Sequence, residues 1–196
     1  MSSIEFQPLP IPPQDFPQAE AERDTLVAAL RERGVRYLAP SDPQAEDSAA
    51  LAPQELIADL AAQADARLRL SLIPLFILHP DWADLAPRAA AQLDEPAQTE
   101  LMACYMAAVY LQRQWNIRLG LYLPAVSLLP DWFSERMGLP SPEERHGKVG
   151  LYMLADWHAA RSPYPFNWLA SYQRVMEQLF NQLKQEARQR EHASIR

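Results

Sequence analysis

The sequence predicts an all-α protein, a single irregular multi-helix bundle of about six helices with a kinked central helix and an extended Pro-rich N-terminal arm. Three observations carry this. Only 5 of 196 residues are Gly, so the left-handed positions that two-residue β-hairpins need are scarce. Ala, Leu, Gln, Glu and Arg recur throughout, and these lose little rotamer freedom in a helix. Apolar residues return at three- and four-residue steps over long stretches, the period of one helix face. The chain is also 48% hydrophobic and 22% charged, with 5 Trp, which is too apolar for a disordered chain. Its length suits one core rather than two.

Residues 1–17 hold Pro8, Pro10, Pro12, Pro13 and Pro17 among Leu9, Ile11 and Phe16. Fixed φ and missing N–H groups exclude a helix, so this stretch reads as an extended arm, loose or lying on the domain. A single helical domain is expected over 18–190. Its first helix runs from Gln18 to Arg33 and stops at Gly34, a left-handed cap. Residues 40–52 are polar and contain Pro, and read as a loop.

The second helix is expected to begin at Pro53 and continue to His79, with Leu56, Leu60, Ala64, Leu68, Leu72 and Leu75 on one face. Asp65 and Arg69 form an i, i+4 pair on it. From Leu68 onward it is apolar all round, the mark of a segment surrounded by protein. Pro74 cannot donate to the Leu70 carbonyl and its ring crowds that turn, which predicts a kink. Asp81 and Asp131, each in a Pro-Asp-Trp triplet, are expected to cap short helices, because a carboxylate accepts the orphan N–H groups of a first turn. The intervals between these triplets and Ala155-Asp156-Trp157 are irregular, so no repeat is read from them.

A further helix is predicted over Pro96–Ile117, and Ile117–Leu123 is read as extended loop. Ser141-Pro142-Glu143-Glu144 has the residues of a helix start, and that helix should reach Ala160. The last helix spans Phe166–Arg190, with Leu169, Tyr172, Met176, Leu179 and Leu183 on its apolar stripe, and 191–196 should fray.

Composition narrows the function. The single cysteine, Cys104, excludes an intramolecular disulfide and a Cys-based zinc site. The N-terminus lacks a basic segment followed by an apolar one, so no secretory signal is read there. The longest apolar run, Leu68–Leu78, is 11 residues and contains Arg69, against the roughly 20 that cross a bilayer. A cytoplasmic location without a membrane is therefore expected. Net charge is −7, with 11 acids and 4 bases in residues 1–60 and 14 of each afterwards. With no basic face, nucleic acid is not an expected partner.

Phosphate-loop, nucleophile-elbow, zinc-protease and dinucleotide motifs are all absent. No catalytic residue, metal or cofactor is assigned. His79 and His158 fall near helix C-termini, where imidazole is favourable, and His146 and His192 read as solvated. Met102 and Met106 share a helix face and read as core filling. Trp157, Tyr164, Phe166, Trp168 and Tyr172 cluster around Arg161 and a Pro-rich turn. Such a corner is either a plug between helices or a partner-binding surface, since Trp, Tyr and Arg dominate the latter.

The stretch Ala66-Arg67-Leu68-Arg69-Leu70-Ser71-Leu72-Ile73-Pro74-Leu75-Phe76-Ile77-Leu78-His79-Pro80 resembles a segment of uncharacterised bacterial helical proteins encoded beside minimal nucleotidyltransferases. That likeness covers 15 residues and no catalytic motif. It implies the partner subunit of a two-gene, toxin–antitoxin-like module. The expected function is a non-enzymatic helical accessory or interaction protein. The alternative is an enzyme or small-ligand-binding protein with an apolar pocket beside the Pro74 break. Arg67, Arg69, His79, Arg161, Tyr164 and Trp168 are the candidate surface. A protein partner or a homo-oligomer built on the last helix is expected.

Overall fold

The computed structural model describes residues 16–40, 51–124, 126–162 and 166–194. These residues form nine α-helices and two 3₁₀ turns, with no strand among them. In order they are α1 (Phe16–Glu32), α2 (Pro53–Ala62), α3 (Ala66–Leu70), α4 (Leu72–Leu78), α5 (Leu85–Ala90), α6 (Glu95–Leu119), α7 (Ser134–Met137), α8 (Lys148–Ala159) and α9 (Trp168–Ser194). The fold is the expected helical bundle with a bent helix, and the count exceeds six because two stretches break into short pieces. No helix among the described residues is long and apolar enough to cross a membrane.

The first break lies in the segment expected to run unbroken from Pro53 to His79. Pro53 does open α2, and Glu55 reaches back to the Ala52 N–H at 3.1 Å. The helix then stops at Ala62. Asp65 accepts the Arg67 N–H at 2.8 Å and starts α3 afresh, so it serves as a cap and not as the partner of Arg69. A helix interrupted by a competing Asx bond is the general hazard of mid-helix Asp.

The second break is the one Pro74 imposes. Pro74 is the third residue of α4, where no intrahelical donor is required, and the bend falls at Ser71, just after the Leu70 carbonyl that Pro74 cannot reach. Ser71 stays helical in φ and ψ, and its hydroxyl donates to the Leu68 carbonyl. Residues 72–77 are wholly buried. Ridges of α4 lie against α6, where Phe76 meets Tyr105 edge-on at 4.9 Å.

Every residue of α6 from Leu101 to Gln112 is buried. Asp94 caps it, accepting the Ala97 N–H at 3.0 Å. Its buried polar tips all find partners in the segment that follows, as buried polar groups must. Tyr105 donates to the Pro130 carbonyl at 2.9 Å, Tyr110 to the Pro140 carbonyl at 2.7 Å, and Gln112 to the Ser127 carbonyl at 2.9 Å while accepting the Leu129 N–H at 2.7 Å. Residues beyond Ile117 remain helical to Leu119 and then turn, so the extended loop read at 117–123 is a helix end and a turn.

Two further expectations are corrected. Asp81 lies inside the 3₁₀ turn Pro80–Trp82 and caps nothing, whereas Asp131 accepts the Ser134 N–H at 3.0 Å and starts α7. Ser141 does not open a helix reaching Ala160. A 3₁₀ turn over Glu144–Gly147 intervenes, with Arg145 and His146 at φ 46° and 55°, and α8 begins only at Lys148. Tyr110 dictates this. A Cβ on Gly147 would stand 2.7 Å from the Tyr110 carbonyl oxygen, and one on Gly150 would stand 2.2 Å from its ring. Glycine lets α8 approach α6 this closely.

The last helix runs to Ser194, further than expected. Tyr172, Met176, Leu179 and Leu183 are buried as the stripe requires. Gln182 ties it to the end of α1, accepting the Arg36 N–H at 2.8 Å and donating to the Gly34 carbonyl. The expected first helix is α1, beginning at Phe16. The remainder of the Pro-rich arm, 1–15, and residues 41–50 lie outside the described residues.

Candidate functional site

The site grows from Arg69. Because Asp65 restarts the helix, Arg69 sits one turn into α3 and is turned inward, only 7% exposed. A buried guanidinium needs both charge compensation and filled donors. Glu100 of α6 supplies the charge, 3.0 Å from Nε. The carbonyls of Gln63 and Ala64, left over where α2 ends, accept from Nη1. Nη2 has no partner among the described residues and keeps its two donors.

Glu100 continues the chain inward. Its other oxygen lies 3.2 Å from Nε2 of His158, although Nε2 stands off the line of a straight hydrogen bond, so the contact is electrostatic. Nδ1 of His158 is 2.7 Å from the Tyr172 hydroxyl. A carboxylate facing Nε2 can only accept, which places the ring proton there and makes Tyr172 the donor to Nδ1. The His158 ring stacks on Trp168, with centroids 3.7 Å apart. Burial raises the Glu100 pKa, but contact with His158 and then Arg69 outweighs it and leaves the carboxyl below its usual value of 4.5. Burial pushes the phenol of Tyr172 and the thiol of Cys104 well up, so both remain protonated. His158 and Tyr172 are fully enclosed. Through Glu100, His158 and Tyr172 the contacts run from Arg69 of α3 across α6 and α8 to α9.

Arg69 forms part of the wall of a groove of about 950 Å³, whose other walls come from α1, the segment after it, α3 and the first half of α9. Arg23, Arg67, Arg69 and Arg174 line it, with Asp65 as the single acid among the described lining residues. Arg23 pairs with Asp24 at 3.1 Å and stands 3.9 Å from Asp65. The side chains of Arg67 and Arg174 have no carboxylate or hydrogen-bond partner among the described residues. Two further wall residues, Tyr37 and Trp168, carry a buried hydroxyl and a buried indole N–H without an acceptor among the described residues. Burial, with Cys104 adding to it, raises the Tyr37 phenol so that it stays a donor. Such orphaned donors cost about 1–3 kcal/mol each. A second pocket of about 570 Å³ lies on the far side of Arg69, against Thr99, Glu100 and Arg161.

The structure gathers some of the expected residues and scatters others. Arg67, Arg69 and Trp168 line the large groove, and Arg161 lines the smaller one, held over Trp157 at 4.1 Å. His79 belongs elsewhere. It caps α4, stacks on Trp82 at 4.5 Å and contacts the Arg33 carbonyl at 2.7 Å. Tyr164 lies outside the described residues. In the aromatic corner, Trp168 and Tyr172 are core, whereas Phe166 is 47% exposed at the groove. Pro74 is enclosed on all sides, and both pockets at Arg69 open from the N-terminal side of the bend. Met102, Met106 and Cys104 are buried core, and no group of three metal-ligating side chains occurs among the described residues.

Sequence reasoning missed Glu100, Tyr37, Arg23 and Arg174. Each stands on a different element, and no local spacing joins them. Compared with family models, curated proteins and solved structures, the chain matches none.

Proposed function

We propose that this chain is a non-enzymatic accessory protein that holds an acidic segment of a partner protein in the arginine-walled groove. One observation carries the reading: Arg67 and Arg174 line a common groove with no ion-pair partner among the described residues, in a chain whose net charge is −7. An acidic protein that exposes uncompensated guanidiniums in one concavity attracts anions there and repels them elsewhere, which favours orientation as well as affinity. Recognition of acidic motifs by arginine clusters is a recurring mode of peptide binding. Guanidinium–carboxylate bonds are geometrically specific because they form in parallel pairs.

The non-enzymatic part of the reading rests on where the titratable side chains lie. His158 and Cys104 are enclosed, and the groove offers donors without an unpaired base. That the partner is encoded by an adjacent gene follows from the short resemblance at Ala66–Pro80 and is part of the same proposal.

Co-expression of the tagged chain with the products of adjacent genes tests it. The wild type should retain one of them through purification, and Arg67→Glu/Arg174→Glu should lose it. Both side chains lie at exposed positions, so the double variant should fold as the wild type does. Equal retention by the two forms, or recovery of the wild type alone, overturns the proposal.

A further inference from the structure

We infer that the anionic group seated in this groove is a phosphate monoester on a partner side chain, an inference that rests on reading the groove as a docking site for a partner. Charge is the first argument. Arg67 and Arg174 come from α3 and α9 and neither has a counter-ion among the described residues, so a single carboxylate would leave one of them unbalanced. A phosphate monoester carries about −1.5 to −2 near neutral pH and balances both.

Donor count is the second argument. The Arg67 and Arg174 guanidiniums, each a planar fork of five N–H groups without a side-chain partner among the described residues, approach the groove from α3 and α9. A carboxylate offers two oxygens in one plane, whereas a phosphate monoester offers three, spread tetrahedrally toward walls on several sides.

Preorganisation is the third. Glu100 and the Gln63 and Ala64 carbonyls already hold the Arg69 guanidinium in place. Its remaining donors can bind without the rotamer entropy that a free arginine would lose.

Fluorescence anisotropy with labelled Ala-Gly hexapeptides separates this inference from the reading beneath it. The central residue is serine, glutamate, phosphoserine or phosphotyrosine, and inorganic phosphate serves as competitor. We expect either phosphopeptide to bind about tenfold or more tighter than the glutamate peptide, as one or more added charge-assisted bonds would give. Arg67→Gln and Arg174→Gln should each remove that preference, and inorganic phosphate should displace the peptide only weakly. Whichever phosphopeptide is tighter identifies the carrier. If glutamate and phosphate peptides bind equally, the acidic-segment reading stands and the phosphate inference falls. If inorganic phosphate binds as tightly as the phosphopeptides, the site takes a free anion and the partner-borne ester is overturned. If none of the peptides binds, both fall.

Discussion

Arg69 is turned into the protein by the Asp65 cap four residues before it, and its Nε and Nη1 donors are taken by Glu100 and the end of α2. Both members of the Arg69–Glu100 pair are shielded, with side chains 9% and 15% exposed. Removing one charge from such a pair leaves the other stranded, so Glu100→Gln should destabilise the fold by about 3 kcal/mol at neutral pH. Denaturant unfolding of the two proteins measures this directly. The effect should also depend on pH. The folded-state pKa of Glu100 is held below its ordinary 4.5, so its contribution is complete above that value and disappears as pH falls through the lowered one. The stability gap between wild type and variant should therefore be constant from pH 7 to about 5 and narrow in more acid solution. A gap unchanged at low pH would mean that packing, and not charge, links these residues. At this scale the sequence showed only half of the pair. Arg69 stood out because a charged residue interrupts an apolar run, but Glu100 lies 31 positions away on a helix whose polar and apolar faces are not sharply separated.

At the scale of elements, caps and close approaches decide where helices begin. Asp94 holds the first turn of the 25-residue α6, and Asp94→Ala should cost about 1 kcal/mol, read from the shift in denaturation midpoint. Gly150 sits under Tyr110, whose hydroxyl is anchored on the Pro140 carbonyl and so cannot swing aside. Gly150→Ala should cost about 1–3 kcal/mol through overpacking between α6 and α8. Gly120→Ala, where a Cβ meets nothing closer than 3.5 Å, should stay within about 0.5 kcal/mol. Equal effects of the two substitutions would contradict the account of how α8 docks. These elements explain which parts of the sequence could be read. Pro74 and its bend were legible because ring and carbonyl clash locally. The stop after Ala62 was not, since the apolar period continues across it and only the Asp65 carboxylate, choosing the Arg67 N–H over Arg69, breaks the helix. Likewise Ser141-Pro142-Glu143-Glu144 has the residues of a helix start, yet the demand of Tyr110 for two glycines delays α8 to Lys148.

For the whole molecule, the helical class followed from scarce glycine and from apolar period, properties that any part of the chain reports. The groove did not, because it exists only where α1, α3 and α9 converge, and its four arginines are ordinary solvated residues until the fold brings them together. The residues that could be anticipated were those on the apolar run and in the aromatic corner, Arg67, Arg69 and Trp168. The arginine that completes the pattern, Arg174, sits in a helix where charged residues are common. The same geometry makes binding sensitive to salt. Arg67 and Arg174 are at exposed positions, so affinity for an acidic peptide should fall steadily as ionic strength rises.

The most direct measurement uses the indole N–H of Trp168, one of 5 tryptophans and the one tryptophan among the described residues that line the groove. In a two-dimensional NMR titration with an acidic peptide, its Nε1–H resonance should move progressively as the groove beside it fills. The resonances of Trp115 and Trp132, which do not line the groove, should stay in place, and Arg67→Glu/Arg174→Glu should abolish the movement. A Trp168 resonance unmoved by saturating peptide, or one that moves equally in the double variant, would contradict the groove as the binding site.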